Sequence, residues 1–200
     1  MMDIVLPRNN EVEFIEIASK LGIKKLYFLY NFDEYNEQKI KLESIKNHNL
    51  NVEIGFIINQ KNINKAVKYS KLIVAKSSDK DRYLIETKKI RLIYGFEETQ
   101  KKDYLHQRAS GLNQHMCQLA NKNNVTVGFS YSSLFNKNSI LTSMIIGRII
   151  QNISLCQKYK VKIMIGSFSD KPFDMRSPYD IKSLFAMLKI SGKNIKDPFT

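Results

Sequence analysis

The sequence predicts an α/β fold, a TIM-like (β/α) barrel of about seven parallel strands forming a single domain over residues 1–200. Three observations point there. Apolar spacing switches repeatedly between a period of two and one of 3.6, the signature of alternating strands and helices. The strand segments are apolar on both faces, as in a parallel sheet covered by helices. No Pro/Gly/Ser-rich linker divides the 200 residues. A doubly wound open sheet also meets the first two conditions. Seven βα units in this length favour the barrel, because open sheets of that size carry fewer strands and longer helices.

The elements follow in order. A first strand lies at 3–6. After Pro7 and the cap candidates Asn9 and Asn10, Phe14, Ile17, Ala18 and Leu21 recur at i, i+3, i+4 and i+7, giving a helix with one buried stripe that stops at Gly22. The unit then repeats as strand 24–30, helix 34–48, strand 51–58, helix 62–69, strand 71–76, helix 79–87 and strand 91–96. In the second half Leu112, Met116, Leu119 and Ala120 mark a helix, 125–130 a strand, 140–159 a long helix and 161–167 a strand. Ile181, Leu184, Phe185 and Leu188 mark the last helix. Ser177, Pro178 and Asp180 specify its start as an N-cap, a proline at the first helical position and an acid in the opening turn. The longest polar segment, 97–111, leaves the C-terminal end of the fifth strand, where such barrels place function.

The formal charge is +13 and the isoelectric point is near 9.6, which favours a polyanionic partner, nucleic acid ahead of an acidic membrane surface. Lys, Ile and Asn are abundant, and nucleotide bias alone could raise the lysine content, but it would not distribute charge unevenly. Residues 1–100 hold 17 basic and 14 acidic residues, +3, whereas 101–200 hold 15 and 5, +10. The later units are therefore expected to carry the polyanion surface, and Asp103 is the only acid between Glu98 and Asp170. No apolar run approaches the roughly 18 to 20 residues of a bilayer span, and the first residues lack a basic-then-apolar signal pattern. The expectation is a cytoplasmic chain with no membrane partner. Cys117 and Cys156 are the only cysteines, too few and too distant for a disulfide framework or a CxxC motif, and they read as small buried hydrophobes.

Catalytic signatures are missing. His48, His106 and His115 stand without an HxH, an HExxH or a carboxylate cluster, and no GxxxxGK[ST], GxGxxG or GxSxG occurs. No catalytic residue and no metal or cofactor on the protein is expected. The strand ends at 128–130 (GFS) and 166–169 (GSFS) read either as serine capping or as backbone N–H groups that meet a phosphate. Arg176 reads either as an ion pair with Asp174 or Asp180 or as a guanidinium fork on a phosphate. Arg108, Lys122, Arg148, Lys158 and Lys160 complete the candidate RNA-binding set; Arg148, Lys158, Lys160 and Lys162 form a basic edge near the end of the long helix, and Lys122 and Arg108 belong to the preceding unit. Tyr104, Phe129, Tyr131 and Phe135 could stack on unpaired bases, with core packing the preferred reading for Phe129 and Phe135.

The segments GLNQHMCQLANKNNVTVGFSYSSLF and NISLCQKYKVKIMIGSFSDKPFDMRSPYDIKSLFAMLKI resemble, over residues 111–190, the ribonuclease P protein component 3 family, the thirty-kilodalton protein subunit of archaea and eukaryotes. The resemblance implies a PHP-like barrel, related to metal-dependent phosphoesterases but without their metal ligands. It implies a subunit, non-catalytic by itself, that binds the catalytic RNA and pairs with ribonuclease P protein component 2. The holoenzyme removes 5′ leaders from precursor tRNA, with divalent ions such as Mg2+ on the RNA. It places the family's basic positions on Arg108, Lys122, Arg148, Lys160 and Arg176, with Asp174, Ser177, Pro178 and Asp180 shaping the last loop. Ser132-Ser133 stands where the family usually has arginine-proline, and Asn113 where an aspartate is often seen. The segment after 190 falls short of a complete eighth unit, so the barrel is expected to be open or closed by a partner. The competing readings are a solitary PHP-like phosphoesterase or hydrolase, with only Asp3, His106 and Asp174 to draw on, and a scaffold that binds protein alone.

Overall fold

The computed structural model describes residues 2–34, 50–100, 102–135, 138–190 and 195. The helix expected at 34–48, with His48, falls outside them apart from Glu34. The strands are β1 (Met2–Val5), β2 (Lys25–Asn31), β3 (Asn51–Ile58), β4 (Ile73–Lys76), β5 (Leu92–Tyr94), β6 (Thr126–Ser130) and β7 (Ile163–Gly166). The described helices are α1 (Glu11–Lys20), α2 (Ile63–Ala66), α3 (Asp81–Glu86), α4 (Gln114–Lys122), α5 (Ser139–Lys158) and α6 (Pro178–Met187). α2 and α3 are shorter than the apolar spacing predicts.

All seven strands are parallel and neighbour one another in chain order. The sheet curls into a nearly closed (β/α) barrel, and β1 meets the end of β7. Phe168 N–H donates to Ile4 O and Leu6 N–H to Ser169 O, both at 2.8 Å, around a parallel bridge between Val5 and Ser169. At the other end of this seam Ile195 bridges Ile163 on the edge that β6 leaves open. The chain thus closes its own seam without a partner at the Val5 end.

Strand residues alternate between two apolar layers. In β2, Tyr27 and Leu29 point into the bore with Ile4, Val74, Leu92 and Met164, while Leu26, Phe28 and Tyr30 face the helices. Both faces are buried, as the continuous apolar strands require. Gly55 in β3 has no room for a side chain: a Cβ there would stand 2.7 Å from Leu29 Cδ2 and 2.8 Å from Leu72 O.

Helix ends share one construction. After α1, α3, α4, α5 and α6 the chain reverses through a residue of positive φ, at Gly22, Lys88, Asn124, Lys160 and Lys189. The amide of that residue returns to the last turn, and the next apolar residue, such as Ile23, Val125, Val161 or Ile190, is buried and starts the following segment. Asn138 caps α5 by accepting from Leu141 N–H at 2.8 Å, and Ser177 caps α6 by accepting from Asp180 N–H at 3.2 Å, with Pro178 at the first helical position as the sequence specifies. Asn10 precedes α1 but does not cap it. Its side chain instead accepts from Arg8 N–H and donates to Asp170 O, tying the β1 and β7 loops together.

α5 corrects one expectation. With 20 residues it is long and apolar enough, by length and composition, to cross a membrane. Its apolarity serves the barrel, since Ile145, Ile149, Ile153 and Cys156 form a stripe in the core, with Arg148 and Asn152 buried beside it. Cys117 and Cys156 are free and buried.

Candidate nucleic-acid interface

Because the strands are parallel, every loop leaving a strand lies at one end of the barrel and every turn entering a strand lies at the other. The loop that leaves β5 at the first end, 95–113, is held from beneath by α5. Arg148 Nη1 donates to Glu97 O at 2.9 Å and to Gln100 O at 2.7 Å, and its Nε donates to Asp103 Oδ1 at 2.7 Å. Asn152 donates to Ser110 O at 2.8 Å, and Asp103 also accepts from Ala109 N–H at 2.8 Å. Partial desolvation works against the charged Asp103, but the Ala109 amide and the Arg148 and Arg108 guanidinium groups outweigh it and hold the carboxyl below its ordinary range. Gly111, at φ 79°, lets the loop pass Phe96, whose carbonyl oxygen would lie 2.5 Å from a Cβ.

Arg148 is therefore not part of an exposed basic edge. It is fully buried, and its charge organises a loop rather than meeting solvent or phosphate. Arg108 remains exposed, with its guanidinium laid over Gly147 of α5, where a Cβ would stand 2.7 Å from Nε. Beside it a cavity of about 480 Å³ is lined by Tyr104, Gln107, Arg108, Asn113 and Gln151 among others. Asn113 is the N-cap of α4 and accepts from Met116 N–H at 3.0 Å, so the amide at this position has a structural use. Tyr104 and Leu105 are exposed on the loop. Phe129 is core; Phe135 is partly exposed and packs on Tyr131 with ring centroids 4.6 Å apart.

The β6 and β7 loops are stapled to each other. Tyr131 N–H donates to Gly166 O, Ser132 N–H to Ser167 O, Ser133 N–H to Ser130 Oγ, and Ser132 Oγ to Phe168 O. Ser167 N–H donates to Asp3 Oδ1 at 2.7 Å and Phe168 N–H to Ile4 O. These amides are satisfied within the protein, so the reading in which they cradle a phosphate is overturned. Ser132 and Ser133, in place of the expected arginine-proline pair, belong to this staple. Asp3 is buried against Ser167, and burial pushes its carboxyl up to about 6 even though three donors favour the charged form.

At the C-terminal end of the strands a stacked ring pair covers one side of the bore, beside a cavity of about 520 Å³ lined by Arg8, Tyr30, Asn31, Glu34, Lys76 and Tyr94 among others. Tyr94 and Phe168 stack with centroids 4.6 Å apart and an interplanar angle of 23°, and Gly128 leaves room beside them, since a Cβ there would stand 3.0 Å from Tyr94 Cβ and 3.2 Å from Phe168 Cζ. Phe168 adopts φ 47° to reach this position. Among the described residues no group of three or more His, Cys, Asp or Glu could hold a metal ion. His106 and His115 are exposed on different elements.

Arg176 pairs with neither Asp174 nor Asp180, which corrects the ion-pair reading. It is exposed and donates to Phe173 O at 2.9 Å and Met175 O at 2.7 Å, while Asp180 accepts from the Ser177 hydroxyl at 2.8 Å. The candidate cations divide between the two ends. Arg108 and Arg176 sit on loops that leave β5 and β7, whereas Lys122, Lys158 and Lys160 sit where α4 and α5 turn into β6 and β7. The structure does not assemble all six into one patch. Asn152, Asp103 and the Tyr94–Phe168 pair were not singled out from sequence as one unit, because each gains its role from a residue far away in the chain.

Comparison with known proteins gives three findings. Residues 101–200 match the family described as RNase P subunit p30. Ribonuclease P protein component 3 of Methanosarcina acetivorans is 30% identical over 77 residues, which is 38% of this chain. That match spans 32% of the relative's own length, about a third. A chain in the cryo-EM structure of an archaeal ribonuclease P with mature tRNA superposes with a TM-score of 0.74, covering 94% of this chain and 82% of that one at 18% identity, a likeness of fold.

Proposed function

The chain belongs to the RNase P subunit p30 family, and from that premise we propose that it is a protein subunit of ribonuclease P that binds and stabilises the catalytic RNA for removal of 5′ leaders from precursor tRNA. One observation carries the reading. Lys122, Lys158, Lys160 and Arg176 are exposed, and among the described residues none has a carboxylate within ion-pair distance. Unneutralised cations on a rigid barrel lower the repulsion between phosphates that an RNA fold brings together, and they release condensed counterions on binding. In this reading the cleavage chemistry belongs to the RNA and the divalent ions it binds.

The subunit would also pair with protein component 2. Tyr104, Leu105 and Phe173, exposed on the loops after β5 and β7, and Tyr179, exposed in the first turn of α6, are apolar anchors that could serve a protein contact. The test is a titration of ribonuclease P RNA with the full chain between about 50 and 200 mM salt, where several phosphate contacts give a steep loss of affinity. Affinity that does not change with salt overturns the reading.

A further inference from the structure

Every turn that leads from a helix into the next strand lies at the N-terminal end of the strands. The turns 21–24, 67–72, 87–91, 123–125 and 159–162, and the stretch 188–190 after α6, contain no Asp or Glu. With the helix ends beside them they bring Lys24, Lys71, Arg91, Lys122, Lys160 and Lys162 to this end, all exposed. None of the six pairs with a carboxylate among the described residues. Two acids near this end, at the start of β3 and the end of α3, are already engaged, Glu53 by Lys25 at 2.7 Å and Glu86 by Arg82 at 2.9 Å. The loops at the opposite end carry Asp33, Asp79, Glu98, Asp103, Asp170 and Asp174 among their basic residues. Charge is therefore sorted by strand end. The division into chain halves mixes the two ends, and it hid the contribution of Lys24, Lys71 and Arg91.

Three lysines at this end, Lys160 of the six among them, sit where the backbone favours glycine. Lys88 (φ 58°), Lys160 (φ 57°) and Lys189 (φ 70°) occupy, after α3, α5 and α6, the position that Gly22 (φ 69°) holds after α1. A side chain in this conformation costs about 1 kcal/mol against glycine. The reversal of the chain needs only the φ value; the lysine adds a charge at the rim.

We propose that the N-terminal end of the barrel is the face that docks the phosphate backbone of folded RNA. The proposal rests on the RNA-binding reading above and deepens it by naming the face and the kind of contact. Lysines are compact charges on flexible stems, suited to phosphates along a backbone rather than to the fixed geometry of base edges. The face should therefore accept structured RNA with little regard for sequence.

The experiment compares full-length variants on ribonuclease P RNA and on a mixed-sequence RNA duplex. Lys88→Gly/Lys160→Gly/Lys189→Gly relieves three strained positions, so its melting temperature should match or exceed the parent. Its affinity should fall about tenfold or more, and its log–log salt slope should shrink by about 2 to 3, on both RNAs. Lys71→Gln/Lys122→Gln/Lys162→Gln, at positions of ordinary backbone, should behave alike and serves as the second readout of the same face. Lys61→Gln/Lys80→Gln/Lys171→Gln removes equal charge from the opposite end and should lose much less. If the parent binds with a steep slope and the opposite-end variant is the one that weakens, the face is wrong while the subunit reading stands. If the parent binds neither RNA in a salt-dependent way, the RNA-binding reading itself falls.

Discussion

Arg148 and Asp103, 45 residues apart in the chain, meet at 2.7 Å beneath the loop that leaves β5. The arginine is fully buried and the aspartate retains some exposure, so the pair faces a loop interior rather than a ligand. The single acid in the long stretch between Glu98 and Asp170 is thus consumed by the one arginine that solvent never reaches.

Arg148→Met should destabilise the fold by about 3 kcal/mol, because it strands Asp103 and two carbonyl groups that the guanidinium satisfies. Urea denaturation measures the loss. The salt slope of RNA binding, taken where the variant is folded, should equal that of the parent. A normal midpoint with a reduced slope would return Arg148 to the binding surface.

Two glycines should respond in opposite directions. Gly111→Ala should cost at least about 2 kcal/mol, since φ 79° disfavours a side chain and the nearest atom, at 2.5 Å, is the Phe96 carbonyl oxygen. Gly147→Ala meets only the far end of the Arg108 side chain and should raise helix stability by about 0.5–1 kcal/mol. Calorimetric melting of the two variants checks both, and equal effects would contradict the packing described.

Asp3 makes the seam sensitive to pH. Its folded carboxyl titrates near 6 against an ordinary 3.8, so between these values the folded state holds the proton more tightly than the unfolded chain. The resulting stabilisation is complete below about pH 4 and is lost as pH rises through about 6, an effect on the order of 3 kcal/mol. Asp3→Asn should remove this component of the slope and be at least as stable as the parent near pH 7. Denaturation midpoints measured across the interval decide it; an unchanged slope would show that Asp3 is not the responsible group.

Phe168→Ala should remove the ring that packs on Tyr94. Loss of the stacked ring leaves Tyr94 facing a void and costs about 3 kcal/mol, partly recovered by removing a bulky side chain from positive φ. Thermal unfolding should shift downward, and Phe168→Leu should lie between alanine and the parent. An alanine variant as stable as the parent would mean that the ring pair is not packed as described.

Local signals in the sequence were enough for most of the fold. Alternation of periods placed each described strand within two residues, and Ser177-Pro178 placed the start of α6 because a cap and its proline are adjacent. The 97–111 loop was legible as polar, yet its rigidity was not, since it depends on Arg148 and Asn152 arriving from α5. Arg148 looked like its exposed neighbours Lys158 and Lys160 because charge alone does not reveal depth. The Asp3 contact with Ser167 spans 164 residues and exists only once the barrel closes. The cationic end stayed hidden for a related reason: its members are scattered singly through short turns and become neighbours only in a parallel barrel.

The positive-φ reversals at the helix ends give this protein a set of adjustable positions outside its core. At Lys88, Lys160 and Lys189 the backbone is indifferent to side-chain chemistry beyond its mild taste for glycine, so electrostatic grip can be strengthened or weakened one residue at a time while the hydrophobic interior stays as it is. Affinity for a polyelectrolyte and resistance to unfolding then become separate dials.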